Sequence, residues 1–176
     1  WGRILEPVIA RHFADVTGAD VRTPPAMYVH PERDWMRASP DRFTVNRDLN
    51  PIGVLEIKAT GSKDAWADGP PNRVIVQVQH QLEALGLDEG WVAVLIGGND
   101  YRHFHVARDD ELIGHLVTIE EDFWRRVVER DPPPIDGHES TTDAIRALHA
   151  HVAVGVERVL DAEAAAVRDE LLRTKA

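Results

Sequence analysis

The sequence predicts an α/β domain built on a mixed sheet, with a long helix at its C-terminal end. Three observations carry that reading. Gly53–Ala59 alternates with a period of two, as a strand does. Trp91–Ile96 is an unbroken apolar run followed by Gly97-Gly98-Asn99-Asp100, the mark of a strand buried on both faces and ending in a hairpin turn. Between and around these lie stretches whose apolar residues recur at helical spacing.

In chain order, Gly2–Val16 places Ile4, Leu5, Val8, Ile9, Ala10 and Phe13 at helical spacing, and Thr17-Gly18 stops it. Pro7 is expected in the first turn, where its missing N–H costs nothing, and Glu6 at the helix start, where the dipole favours an anion. Val21–His30 reads as extended, and Pro31–Arg37 as a loop carrying Trp35. Arg42–Arg47 alternates and is expected to form a hairpin with Gly53–Ala59, turning near Asn50-Pro51. Thr60–Asn72, rich in Gly, Asp and Pro and containing Trp66, reads as a loop over a site mouth. Arg73–Leu85 is a helix with Val74, Val78, Leu82 and Leu85 as its stripe, Gln77 and Gln81 on a neighbouring line, Gln79 and His80 elsewhere, and Gly86 as C-cap. Tyr101–Val106 is the return strand of the hairpin. Asp109–Arg130, with Leu112, Ile113, Leu116, Ile119, Phe123, Trp124 and Val127, reads as a core-packing helix ended by Pro132-Pro133-Pro134. Thr141–Leu172 is expected to be one helix of about thirty residues, longer than most in globular proteins.

At 176 residues the chain suits one domain with a sizeable core, and 43% hydrophobic with 28% charged residues is a soluble globular composition. No apolar run reaches 18 residues and no signal-peptide pattern is visible, so a cytoplasmic location without membrane spans is the expectation. The absence of cysteine excludes disulfides, zinc–thiolate sites and Cys-ligated clusters. A chain that opens on Trp1 reads as part of a longer protein.

The chemistry concentrates between Ser39 and Lys58. On the strand Gly53–Ala59, Val54, Glu56 and Lys58 share one face, and Leu55, Ile57 and Ala59 the other. Glu and Lys are depleted in strands, so two opposite charges on one apolar strand make sense where the face lines a site. The hairpin would bring Asp41 close to Glu56. Two such carboxylates suit a hard divalent cation, and a lysine one strand-step away can stabilise developing negative charge; together they fit metal-assisted phosphodiester hydrolysis. Crowding the carboxylates without a cation should raise the pKa of at least one of them. The bland alternative is a hairpin with a surface Glu–Lys pair of little energetic weight. His103 and His105, with His12 and His115 as extras, are read as polar residues of a strand edge rather than a metal pair, because no carboxylate stands at a matching spacing.

A net charge of −10 argues at first against nucleic acid. Residues 33–63, however, hold six basic against four acidic residues, a local +2, while residues 109–136 hold nine acids against three arginines, a local −6. The proposed site is the locally basic part, and Arg37, Arg42, Lys63 and Arg73 are the expected phosphate contacts.

Pro40-Asp41…Glu56-Ile57-Lys58 resembles the PD-(D/E)XK signature of restriction-endonuclease-like nucleases. A more specific resemblance is to the YqaJ-type viral recombinases, the phage-type exonucleases similar to lambda exonuclease. Gly2-Arg3-Ile4-Leu5-Glu6-Pro7, His30-Pro31, Trp35–Asp41, Gly53–Lys58, Gln77–Leu82, Val106–Asp109, Phe123-Trp124 and Pro132–Gly137 resemble that family's blocks in order, over nearly all of residues 2–137.

The resemblance implies a three-layer nuclease core over residues 1–137, lacking the family's usual preceding N-terminal segment, and a helical extension over residues 138–176. It implies Mg²⁺, with Mn²⁺ as substitute, on Asp41, Glu56 and the backbone carbonyl of Ile57, with Glu6 holding a second ion or its water. Lys58 would stabilise the transition state and Gln77 orient the substrate or the lysine. It further implies exonuclease action on double-stranded DNA in phage-type recombination, a single-strand annealing protein as partner, and a homo-oligomeric ring. Three positions depart from the family pattern: Arg42 for the usual Gly, Val74 for an aromatic residue, and Gln81 for the Tyr of related enzymes. These departures read as altered substrate contacts. The rival readings are a catalytically weak DNA-binding or scaffold protein of the same fold, and an unrelated α/β binding module in which the carboxylates would not converge.

Overall fold

The computed structural model describes residues 1–132, 134, 136, 138–148 and 161–174. The chain divides into two compact units, Trp1–Asp131 and Pro132–Ala176.

The first unit is built on a five-stranded mixed sheet. Its strands are β1 (Asp20–Arg22), β4 (Arg42–Val45), β5 (Pro51–Thr60), β6 (Glu89–Ile96) and β7 (Asp100–Ala107), hydrogen-bonded in the order β1-β4-β5-β6-β7. Only β5 and β6 run parallel; the other neighbours are antiparallel. The parallel pair is joined by the crossover helix α2 (Asn72–Leu85), as a parallel connection requires. A separate ribbon pairs β2 (Tyr28–Val29) with β3 (Arg37–Ala38).

The period-two reading of β5 holds. Val54 packs with Phe43, Val92, Val94 and the stripe Val74, Val78 and Leu82 of α2. Leu55 and Ile57 pack on the opposite face against Ile9, Ala10 and Phe13 of α1 (Gly2–Thr17). Helix, sheet and helix thus form three layers, and the run in β6 is covered on both faces. The β4–β5 hairpin turns earlier than expected, over residues 46–50: Asn46 Oδ1 accepts the N–H groups of Asp48 and Asn50, and Leu49 takes a left-handed conformation (φ 63°).

Several expectations are corrected. In α1, Ile4 and Val8 are exposed, because the helix meets the sheet only along the line of Leu5, Ile9, Ala10 and Phe13. Pro7 lies inside that helix, beyond its first turn, where the missing N–H leaves the Arg3 carbonyl without its usual partner. The extended stretch after Val21 is split into β1 and β2, because Pro24-Pro25 offers no N–H for a continuous ladder. The 60–72 loop holds a short 3₁₀ turn (Asp64–Trp66) whose Trp66 is buried in the α2-side core against Phe104. In α3 (Asp110–Glu129) only Ile113 is buried; Ile119, Phe123, Trp124 and Val127 are exposed, and the bonds of the helix to α2 reach no further than Glu120, which meets His80.

The second unit contains α4 (Glu139–Leu148) and α5 (Ala162–Thr174). The single helix expected over Thr141–Leu172 is therefore not continuous, since Asp161 is not helical. Its stripe positions Val152, Val156 and Val159 lie outside the described residues. Among the described residues, no helix is long and apolar enough to cross a membrane.

Candidate active site

The site grows from the point where β4 leaves β5. Their pairing ends at Arg42↔Leu55, so beyond Leu55 that edge of β5 has no strand beside it. Asp41 fills the gap: its Oδ2 accepts the Ile57 N–H at 2.7 Å. In an extended strand the N–H and C=O of one residue point to the same side, so the Ile57 carbonyl lies on this open edge too. Asp41 is held in place from its other side as well. Met36 and Ala38 are buried against Ala84 of α2, and the Arg37 carbonyl meets His80 Nε2 at 3.0 Å, so the chain entering Pro40-Asp41 is anchored to the crossover helix.

Glu56 is the buried charge of the domain, 2% exposed. Three donors satisfy it. Lys58 Nζ and Gln77 Nε2 donate to Oε1 at 2.5 and 2.9 Å, and Gln81 Nε2 donates to Oε2 at 2.9 Å. Lys58 also donates to Gln77 Oε1 at 3.1 Å, closing a three-membered network. A buried carboxylate without such partners would be prohibitively costly. Gln77 thus turns toward both Lys58 and Glu56.

Asp41 is pushed from the ordinary 3.8 to about 6. Burial is the main cause; the charge of Glu56 adds to it, the Ile57 N–H opposes it, Glu6 raises it further and Lys58 lowers it. The two carboxylates thus feel one another, as the hairpin reading requires. Among the described residues, no three His, Cys, Asp or Glu side chains converge as a metal cluster. A cation at this place would be held by Asp41, Glu56 and the Ile57 carbonyl, an all-oxygen set. That set fits Mg²⁺, which binds through one or two carboxylates and keeps several waters.

Other expected site residues fall differently. Glu6 is in an ion pair with Arg42 Nη1 at 2.5 Å, and the same Arg42 nitrogen donates to the Asp41 carbonyl oxygen. Arg42 projects from the end of β4 toward α1, so its guanidinium is taken up within the protein, and Glu6 faces a cation already present. Arg37, Lys63 and Arg73 are exposed, Arg73 in the first turn of α2. Gln81, expected as a substrate contact, is instead buried against Glu56. The sequence did hold the signal for it: Gln77 and Gln81, four apart, lie on one line of the helix. Gln79, assigned no role, is buried too. Its amide donates to the Ala107 carbonyl and accepts the Asp109 N–H, tying α2 to the start of α3. His103 and His105 on β7 pack with Trp91, and His105 Nε2 meets Glu89 Oε2 at 3.1 Å.

A mixed sheet between α1 and α2, with a buried Glu-x-Lys strand and an Asp on its open edge, defines a class of α/β proteins with a two-carboxylate site. The model of the YqaJ-like viral recombinase domain matches residues 1–88, and the chain belongs to that family. It is 34% identical over 156 residues to the uncharacterized protein YqaJ of Bacillus subtilis (strain 168), covering 85% of this chain and 48% of that protein. The chain therefore spans about half the length of the curated relative it matches. Among solved structures, its fold is similar to that of an alkaline exonuclease (LHK-Exo) from Laribacter hongkongensis, with TM-score 0.61 and 20% identity over 86% of this chain and 74% of that one. It is also similar to a phage-related exonuclease from Haemophilus somnus 129PT, with TM-score 0.54 and 11% identity over 74% of this chain and 72% of that one.

Proposed function

We propose that this chain is the nuclease core of a metal-dependent deoxyribonuclease, an exonuclease on double-stranded DNA in phage-type recombination. The observation that carries the reading is the buried Glu56, clasped by Lys58 and Gln77, beside an Asp41 whose surroundings push its pKa up to about 6. Such a pair is costly unless something cationic comes to it. Membership of a viral recombinase family and a fold shared with two exonucleases point to the same chemistry.

In this reading Asp41, Glu56 and the Ile57 carbonyl hold Mg²⁺, with Mn²⁺ as substitute. Bound there, the ion would polarise the phosphate as a Lewis acid and lower the pKa of a water beside it. The chain's own residues do the rest. The Lys58 side chain is partly exposed and sits between Glu56 and Gln77, so it can exchange its carboxylate contact for a phosphate oxygen or the attacking water and offset negative charge there. Gln77 keeps Lys58 within reach by accepting from it while donating to Glu56. Arg42 neutralises Glu6 beside the pair and stiffens the entry of Asp41. The reading extends to a single-strand annealing protein as partner and to a homo-oligomeric ring.

The test is degradation of end-labelled linear duplex DNA with covalently closed circles as control. Mg²⁺-dependent loss of the linear form alone is expected, abolished by EDTA. Glu56→Gln should reduce it by on the order of a hundredfold or more, since even outer partners of metal ligands cost 10–100-fold. Cleavage of circles would make the enzyme an endonuclease, and undiminished activity in the Glu56→Gln protein would remove the site from the reaction.

A further inference from the structure

We infer that Gln81 is a positioning residue that fixes the carboxylate of Glu56 so that Oε1 alone faces the site. The inference rests on the proposed reading of Glu56 as a ligand, but its geometric part stands without it. Gln81 is 3% exposed and lies one helical turn after Gln77 on α2. The two amides divide the carboxylate between them, Gln77 on Oε1 and Gln81 on Oε2. Lys58 is also on Oε1, so every group that can exchange with solvent gathers on one oxygen and the other is pinned inside the protein.

Chemistry fixes the orientation of the amide. The reverse placement would set the Gln81 carbonyl oxygen against a carboxylate oxygen, two acceptors facing each other. As placed, Gln81 Oε1 is buried and has no hydrogen-bond partner. An orphaned acceptor is unfavourable, and an apolar side chain of the same length would avoid it. The N–H donated to Glu56 is the one polar contact that offsets it. Because Gln81 is buried, it is not available to touch DNA, which separates this role from a substrate contact. With Oε2 pinned, an incoming cation meets Glu56 through one oxygen, and the carboxylate does not rotate away when Lys58 leaves it.

Two measurements test this. The first needs neither metal nor activity: urea unfolding of the parent, Gln81→Met, Glu56→Met and the double variant, in EDTA. Met keeps the length of both side chains and removes their polar ends. Because hydrogen bonds to charged groups are the stronger kind, Q81M should lower the folding equilibrium constant at least tenfold more in the parent than in the E56M background. Additive effects would overturn the inference. The second is steady-state cleavage of linear duplex DNA at saturating Mg²⁺, where Q81M should lower kcat 10–100-fold at unchanged KM. A raised KM at unchanged kcat would make Gln81 a substrate contact and overturn it. If the parent cleaves no DNA at all, the functional reading fails while the unfolding cycle still decides whether Gln81 holds Glu56.

Discussion

Replacing Asp41 by Asn should stabilise the metal-free protein at neutral pH. Asp41 has an ordinary value of 3.8 when unfolded and about 6 when folded, raised chiefly by burial and then by Glu56. Between those values the folded chain holds a proton that the unfolded chain has lost, so stability falls as pH rises from about 4 to 6 and is level above. A shift of roughly two units at about 1.4 kcal/mol each would be about 3 kcal/mol. Asp41 is only part-buried, so solvent screening leaves ~1–2 kcal/mol. For a chain of this size that is a rise of about 2–8 °C in Tm. Asn retains an oxygen for the Ile57 N–H, so the hydrogen bond need not be lost. Thermal unfolding followed by circular dichroism in EDTA is the assay. The variant should melt higher at pH 7.5, by about half as much at pH 5, and by only about a fifth as much at pH 4. Adding Mg²⁺ should raise the parent's Tm and not the variant's. A lower Tm, or a difference that does not change with pH, would show that Asp41 is a structural acceptor and that no charge crowding exists.

DNA binding in Ca²⁺, followed by fluorescence anisotropy, should be salt-sensitive with a slope of log affinity against log salt near −3, the value for about three phosphate contacts. Reversing Arg37, Lys63 and Arg73 to Glu should weaken binding of all sequences alike, whereas Arg125 and Arg126, already paired with Asp122, should be silent; equal losses would place the DNA elsewhere. Gly90→Ala should destabilise by about 1–3 kcal/mol in urea. A Cβ there would stand 2.8 Å from Val78 Cγ1 and 2.9 Å from Val54 Cγ2, where β6 is pressed between β5 and α2, and an unchanged midpoint would mean that this packing gives way freely.

By itself the sequence determined the faces of the elements and the order of the blocks. Alternation on β5 put Glu56 and Lys58 together because a strand has only two faces, and the short span from Asp41 to Glu56 closed as a hairpin because the loop between them is small. The tertiary structure decided what each face meets. Periodicity says that Gln81 lies beside Gln77, but not that α2 lies across β5 at a height that sets both amides on Glu56. Arg42 reads as a free cation in a basic stretch until α1 brings Glu6, thirty-six residues away, to its guanidinium. The apolar line of α3 promises a core, yet its bonds to α2 reach only as far as Glu120, and Phe123 and Trp124 stay exposed. Trp66 sits in a stretch with every mark of a loop and is nevertheless buried. In each case the deciding quantity is the distance between elements far apart in the chain. Local pattern does not carry that distance, because it follows from how the three layers are stacked.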